Sequence, residues 1–146
     1  MDRKEFLKVC GVTCLGVIGV SALLQSCVGT HHVQGILNNN KIEINKAEFI
    51  HLKKGESSFR KYIIVRFDKS DFPVVVYRFS ETDYKAMLLR CTHQGNELNV
   101  NGDLISCPAH NSEFTNKGEV LTGPADRSLE TFPVIIEEKN IYIQVV

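Results

Sequence analysis

An all-β fold, an antiparallel sandwich or small barrel, is predicted for the body of this chain by three features of its sequence. Short runs rich in β-branched and aromatic residues recur after residue 41, as in YIIVRF (62–67) and VVVYRF (74–79). Turn-forming pairs, Asn101-Gly102 and Lys139-Asn140, separate such runs. No long stretch beyond the first 27 residues repeats its apolar positions at the helical period, and there is no internal repeat.

Length and composition narrow the class. At 146 residues the chain is long enough for one domain and a short appendage. A hydrophobic content of 43% can supply a core and argues against disorder. The formal net charge is zero and no stripe of Lys or Arg forms, which argues against a nucleic-acid partner. Nothing matches a nucleotide-binding glycine loop, a Ser-His-Asp set or a zinc-protease helix.

Residues 1–27, MDRKEFLKVCGVTCLGVIGVSALLQSC, have the make-up of an export leader. Arg3, Lys4 and Lys8 precede an uncharged apolar run over 9–24. As a helix that run measures about 24 Å, short of the roughly 30 Å of a bilayer core, which suits a signal peptide better than an uncleaved spanning helix. RKEFLK resembles a twin-arginine motif with lysine in place of its second arginine, and Leu24-Gln25-Ser26-Cys27 resembles a lipobox. Cys27 is therefore the expected lipidation site. Its lipid would hold a water-soluble domain on the periplasmic side of a bacterial membrane. Residues 28–40, with His31-His32 and three consecutive asparagines, read as a polar tether, and the folded domain is expected over 41–146.

Within the body, KIEINKAEFI (41–50) alternates in part. YIIVRF, VVVYRF and YKAMLLR (84–90) read as strands, the last leading into Cys91. The C-terminal end reads as two strands around a Lys139-Asn140 turn, with Ile141, Ile143 and Val145 alternating against Tyr142 and Gln144.

The cysteines carry the chemistry. Of five, Cys10, Cys14 and Cys27 fall in the leader, which leaves Cys91 and Cys107 for the body. Two are too few for a disulfide scaffold, and each has a histidine close by. CTHQGN (91–96) offers Cys91 and His93, and CPAHNSEF (107–114) offers Cys107 and His110. Between them Asn101-Gly102, taken as the two central residues of a hairpin turn, sets Leu98 across from Ile105 and Asn96 across from Cys107. Both ligand loops then lie at one end of one ribbon. Two thiolates and two imidazoles suit zinc or a two-iron cluster. A single residue between Cys91 and His93 is tight for two bonds to one ion, and a cluster relieves this by sending the members of each pair to different irons.

Together these residues resemble the Rieske [2Fe–2S] family, on its cytochrome bc and arsenite-oxidase-like side, over 41–146. Gly118, Gly123-Pro124-Ala125, Leu129 and Pro133-Val134 are similar as well. The resemblance implies a Rieske-type sandwich with a two-loop subdomain holding one [2Fe–2S] cluster. It implies an inner iron on Cys91 and Cys107, and an outer iron on His93 and His110, nearer solvent. Gly95, Ser112, Phe114, Gly123 and Pro124 would surround the cluster, with Gly123-Pro124-Ala125 lying over it.

The chain also departs from the family. Asn96 and Ala109 stand where cytochrome bc relatives usually have a pair of cysteines that forms a disulfide between the loops. Ser112 matches a serine that donates to a bridging sulfide in high-potential members, whereas Phe114 stands where many of these have a donating tyrosine. One donor kept and one lost place the expected potential in the middle or lower part of the range of about −150 to +300 mV.

The function these features imply is one-electron transfer on a membrane-anchored periplasmic protein, an iron–sulfur subunit rather than a stand-alone enzyme. Its partner would be a redox protein: a cytochrome b-type or c-type protein, or a molybdoenzyme subunit. These are favoured over the soluble ferredoxins of ring oxygenases. An oxygenase itself needs a second domain with a mononuclear iron, and only His31, His32 and His51 remain outside the two pairs. The competing expectation is a surface lipoprotein of degenerate Rieske fold, binding zinc or no metal and serving as an interaction module.

Overall fold

The computed structural model describes residues 29–145; the leader, its lipobox and Cys27 lie outside the described residues. The first half of the described chain forms β1 (His32–Gln34), β2 (Ile36–Asn38), β3 (Lys41–Asn45), β4 (Ile50–Lys53), β5 (Glu56–Phe59), β6 (Tyr62–Arg66), β7 (Val74–Arg78) and β8 (Tyr84–Leu88). The second half forms β9 (Asn99–Asn101), β10 (Leu104–Ser106), β11 (Glu113–Thr115), β12 (Val120–Thr122), β13 (Thr131–Phe132), β14 (Val134–Ile136) and β15 (Asn140–Gln144). The helical content among the described residues is one 3-10 turn, Lys46–Phe49, capped by the Asn45 side chain, which accepts from the Ala47 amide. No helix of the described residues is long and apolar enough to cross a membrane.

A five-stranded sheet in the order β1-β6-β7-β8-β13 forms the centre. Its strands β6 and β7 are apolar on both faces, which is why they read as unbroken hydrophobic runs rather than as alternating ones. One face sends Ile63, Val65, Val74 and Val76 into a core shared with Ile42, Ile44, Ile141 and Ile143 of the sheet β14-β15-β3-β2. The other face sends Ile64, Val75, Tyr77 and Met87 into a second core, shared with the sheet β12-β11-β10-β9 and its loops. Burying each of these aliphatic side chains stabilises the fold by roughly 1.5–3 kcal/mol before entropy is counted. The C-terminal alternation is as expected, with Ile141, Ile143 and Val145 buried and Tyr142 and Gln144 half-buried.

Three expectations are corrected. Residues 28–40 are not a tether over most of their length: β1 pairs in parallel with β6, and β2 pairs with β3. Val33 and Leu37 pack on the first core, and one core-facing residue per three-residue strand is too little for a period to register. The hairpin between the two candidate ligand loops turns one residue later than expected, with Asn101 opposite Leu104 and Val100 opposite Ile105. Gly102 and Asp103 are the central pair and only Gly102 takes a positive φ, +62°, the requirement of a type II′ rather than a type I′ turn. The last hairpin turns earlier: Ile136 faces Ile141, so Glu138 and Lys139 sit at its tip.

Candidate metal centre

The two candidate ligand loops leave the same end of the β9–β10 ribbon and are built alike. In the first, the Cys91 amide donates to the Asn96 carbonyl (2.8 Å) and the Gly95 amide to the Cys91 carbonyl (2.8 Å). In the second, the Cys107 amide donates to the Ser112 carbonyl (2.8 Å) and the Asn111 amide to the Cys107 carbonyl (3.0 Å). Each loop is thus one closed turn with its cysteine as first residue, and its fifth residue is left-handed, φ +78° at Gly95 and +61° at Asn111. Asparagine tolerates that region. A Cβ at Gly95 would lie 3.2 Å from the Nε of the exposed Arg90 side chain, which would have to shift slightly to admit it. The Arg90 guanidinium in turn lies 5.5 Å from the Phe72 ring centroid.

These turns place the four side chains at two levels of burial. Cys91 and Cys107 are free thiols belonging to the second core, each 2% exposed. His93 and His110 are exposed, with ring centroids 5.1 Å apart and planes at 87°. Among the described residues, no three His, Cys, Asp or Glu side chains gather around one ion position. Two buried sulfurs and two exposed, neighbouring imidazoles fit a binuclear group with one thiolate end and one imidazole end.

A third loop is hydrogen-bonded to both of these loops. The buried Ser112 hydroxyl accepts the Ala125 amide at 3.0 Å, next to the cis peptide Gly123-Pro124. Thr92 Oγ1 donates to the Arg127 carbonyl at 2.8 Å, joining the first loop to the third. Sequence reasoning marked Ser112, Gly123 and Pro124 but missed Thr92, Arg127, Arg90 and Asn111. Of these only Asn111 left a signal, as an asparagine where a tight loop must turn. Arg90, Gln94, Arg127, Ser128 and Glu130 line a cleft of about 470 Å³ beside His93. Phe114 is wholly buried in the second core, paired across β10–β11 with Ile105. Asn96 and Ala109 are exposed in the two loops.

The other end of the ribbon is fixed to the body. The Tyr77 phenol, held well above its ordinary pKa by burial and then by Tyr62 and Asp103, stays neutral and donates to the Gly102 carbonyl at 2.7 Å. At the same tip the bonds from Lys61 (2.7 Å) and Asn116 (3.1 Å) lower the pKa of Asp103.

The profile of the Rieske [2Fe-2S] domain matches residues 51–133 of this chain. The chain belongs to the Rieske family. With that membership comes its cofactor, a [2Fe–2S] cluster. The cytochrome b6-f complex iron-sulfur subunit of Synechococcus sp. (strain JA-2-3B'a(2-13)) is 40% identical over 53 residues, which cover 35% of this chain and 31% of that protein. The 3-phenylpropionate/cinnamic acid dioxygenase ferredoxin subunit of Photorhabdus laumondii is 39% identical over 62 residues, 38% of this chain and 58% of that one. Among solved structures, the cyanobacterial plasma membrane Rieske protein PetC3 from Synechocystis PCC 6803 superposes with a TM-score of 0.51 at 30% identity. That match covers 58% of this chain and 87% of the other. This Rieske chain therefore spans about a third of the first of these relatives and over half of the second.

Proposed function

We propose that this Rieske protein carries single electrons through a [2Fe–2S] cluster held by Cys91, His93, Cys107 and His110. Cys91 and Cys107 would hold one iron, and His93 and His110 the other. The observation that carries this reading is the difference in burial of the four side chains, two buried thiols and two exposed, neighbouring imidazoles in the loops at one end of one ribbon. The bound cluster supplies reversible one-electron chemistry. The protein's residues do the rest: the second core keeps water from the sulfur side, the Ser112–Ala125 and Thr92–Arg127 bonds hold the three loops together, and the imidazole edges are presented to a partner.

The chain works, in this reading, as a component of a larger redox assembly. The names of its relatives, an iron-sulfur subunit and a ferredoxin subunit, support that place. An acylated Cys27 anchors it on the periplasmic face of a bacterial membrane, as the leader's sequence suggests. Incorporation of labelled fatty acid into wild type and not into Cys27→Ala tests the anchor.

The cluster is tested by electron paramagnetic resonance on the dithionite-reduced protein, purified without oxygen, beside an iron and zinc count. A Rieske-type spectrum with iron matching one [2Fe–2S] cluster per chain is expected. A silent sample loaded with zinc would mean that the loops form a structural clamp, and electron transfer would be abandoned.

A further inference from the structure

The cluster loops occupy one pole of the molecule, and the chain enters the body at the other. Strand β6 shows this, because it runs beside the ribbon. At its start Lys61 pairs with Asp103 of the ribbon tip (2.7 Å), and at its end Arg66 pairs with Glu97 (2.6 Å), in the segment that follows the first cluster loop. Strand β1 lies parallel to β6 with His32 level with Ile64, and the His31 carbonyl accepts the Ile64 amide at 2.9 Å. Gly29 therefore arrives level with the tip. It shares a cleft of about 410 Å³ with His31, His51, Lys61, Asn101 and Gly102. From Gly102 to Cys107 the ribbon runs five residues, about 17 Å at roughly 3.3 Å per residue.

The pole where the chain enters carries an unusual surface. The β4–β5 hairpin pairs Ile50 with Phe59 and Leu52 with Ser57, which puts Ile50, Leu52 and Phe59 on one face. All three are exposed, Leu52 by 76% and Phe59 by 58%. Phe59 lines the cleft that Gly29 and Thr30 enter, together with His51 and Ser58 of the hairpin's other face, so the hairpin adjoins the incoming chain. With β1 and β2 taken into the sheets, only Val28, Gly29 and Thr30 separate Cys27 from the hydrogen-bonded His31. Four residue steps reach at most about 14 Å.

We infer that the β4–β5 hairpin, through Leu52, Phe59 and Ile50, rests on the lipid surface, with the cluster pole turned into the aqueous phase. The inference rests on the membrane-anchored reading above, and it adds the orientation. A linker of that reach keeps the entering pole at the bilayer, where the apolar face finds the acyl boundary. The electron partner then meets His93 and His110 from the aqueous side.

The sequence contains no tryptophan, so one introduced indole reports its own surroundings. The full-length acylated protein, as Leu52→Trp or Leu121→Trp, is reconstituted into phosphatidylethanolamine/phosphatidylglycerol vesicles with and without brominated acyl chains. Leu121 is exposed on β12, the strand that leads into the Gly123-Pro124 loop at the cluster pole. Emission at position 52 is expected to fall by a factor of roughly two or more with bromine, while emission at 121 stays unchanged. Quenching at 121 and not at 52 would reverse the orientation and overturn the inference. Vesicle flotation with neither site quenched would overturn it and leave the anchor standing. Loss of flotation would remove the anchor, and the inference with it.

Discussion

The hydroxyl oxygen of Ser112 lies 3.0 Å from the Ala125 amide it accepts, and both residues are buried between two loops of the metal centre. Accepting that bond leaves the serine's own hydrogen to donate in another direction. Ser112→Ala orphans the Ala125 amide, and a loss of about 1–3 kcal/mol is expected in denaturant unfolding. In the loaded protein the potential should fall by on the order of 60 mV, the one-electron equivalent of about 1.4 kcal/mol. Protein-film voltammetry with an unchanged potential would show that the hydroxyl serves the Ala125 bond alone.

Phe114 is the converse case, a wholly buried ring with no donor. Phe114→Tyr should raise the potential by tens of millivolts if its hydroxyl reaches a cluster sulfur. The wild-type potential should sit in the middle or lower part of the range of about −150 to +300 mV. A value near the upper limit contradicts the donor count. A destabilised tyrosine variant with unchanged potential would mean that Phe114 fills core and nothing else.

The two loops hold free cysteines and are joined by packing and hydrogen bonds, so the cluster itself should hold them together. Removing iron by acid and chelator should cut hydrogen-exchange protection of the Gly95 and Asn111 amides at least about tenfold. Amides of β6 and β7 should be little changed. Equal loss in both regions would mean that the loops and the central sheet open as one unit.

At the ribbon tip, Asp103 has its carboxyl pKa lowered first by its bond from Lys61 and then by its bond from Asn116. A group depressed in the folded state adds stability above its unfolded pKa, near 3.9, and that stability is lost as pH falls through the lower folded value. Because the pair is largely exposed, Asp103→Asn should cost only about 0.3–1 kcal/mol at pH 7. The difference from wild type should close as the pH drops through the acidic range. A gap that persists below the folded pKa would assign the effect to turn conformation instead of charge.

Much of this was legible along the chain, because a metal site made of two short loops is written locally. Cys91-x-His93 and Cys107-x-x-His110 name the candidate ligands, and each loop closes within six residues through its own backbone. The double-sided burial of β6 and β7 is visible as continuous apolar runs. What the spacing misjudged is what backbone alternatives decide. A hairpin turning at Gly102-Asp103 instead of Asn101-Gly102 needs one positive φ rather than two, and the bonds from Tyr77 and Lys61 hold the tip that results.

By its own residues, then, the sequence determined the β class, the candidate ligands and the number of loops that carry them, since all three depend on local composition and short spacing. Tertiary structure decided that the thiols are buried while the imidazoles face out, because burial depends on which sheet covers which face of a loop. It decided that Thr92 and Arg127, 35 positions apart, are partners. It also absorbed His32–Asn38, which looks like a polar spacer, into two sheets, because the free strand edges of β6 and β3 offered its backbone hydrogen-bond partners that no neighbouring residue could.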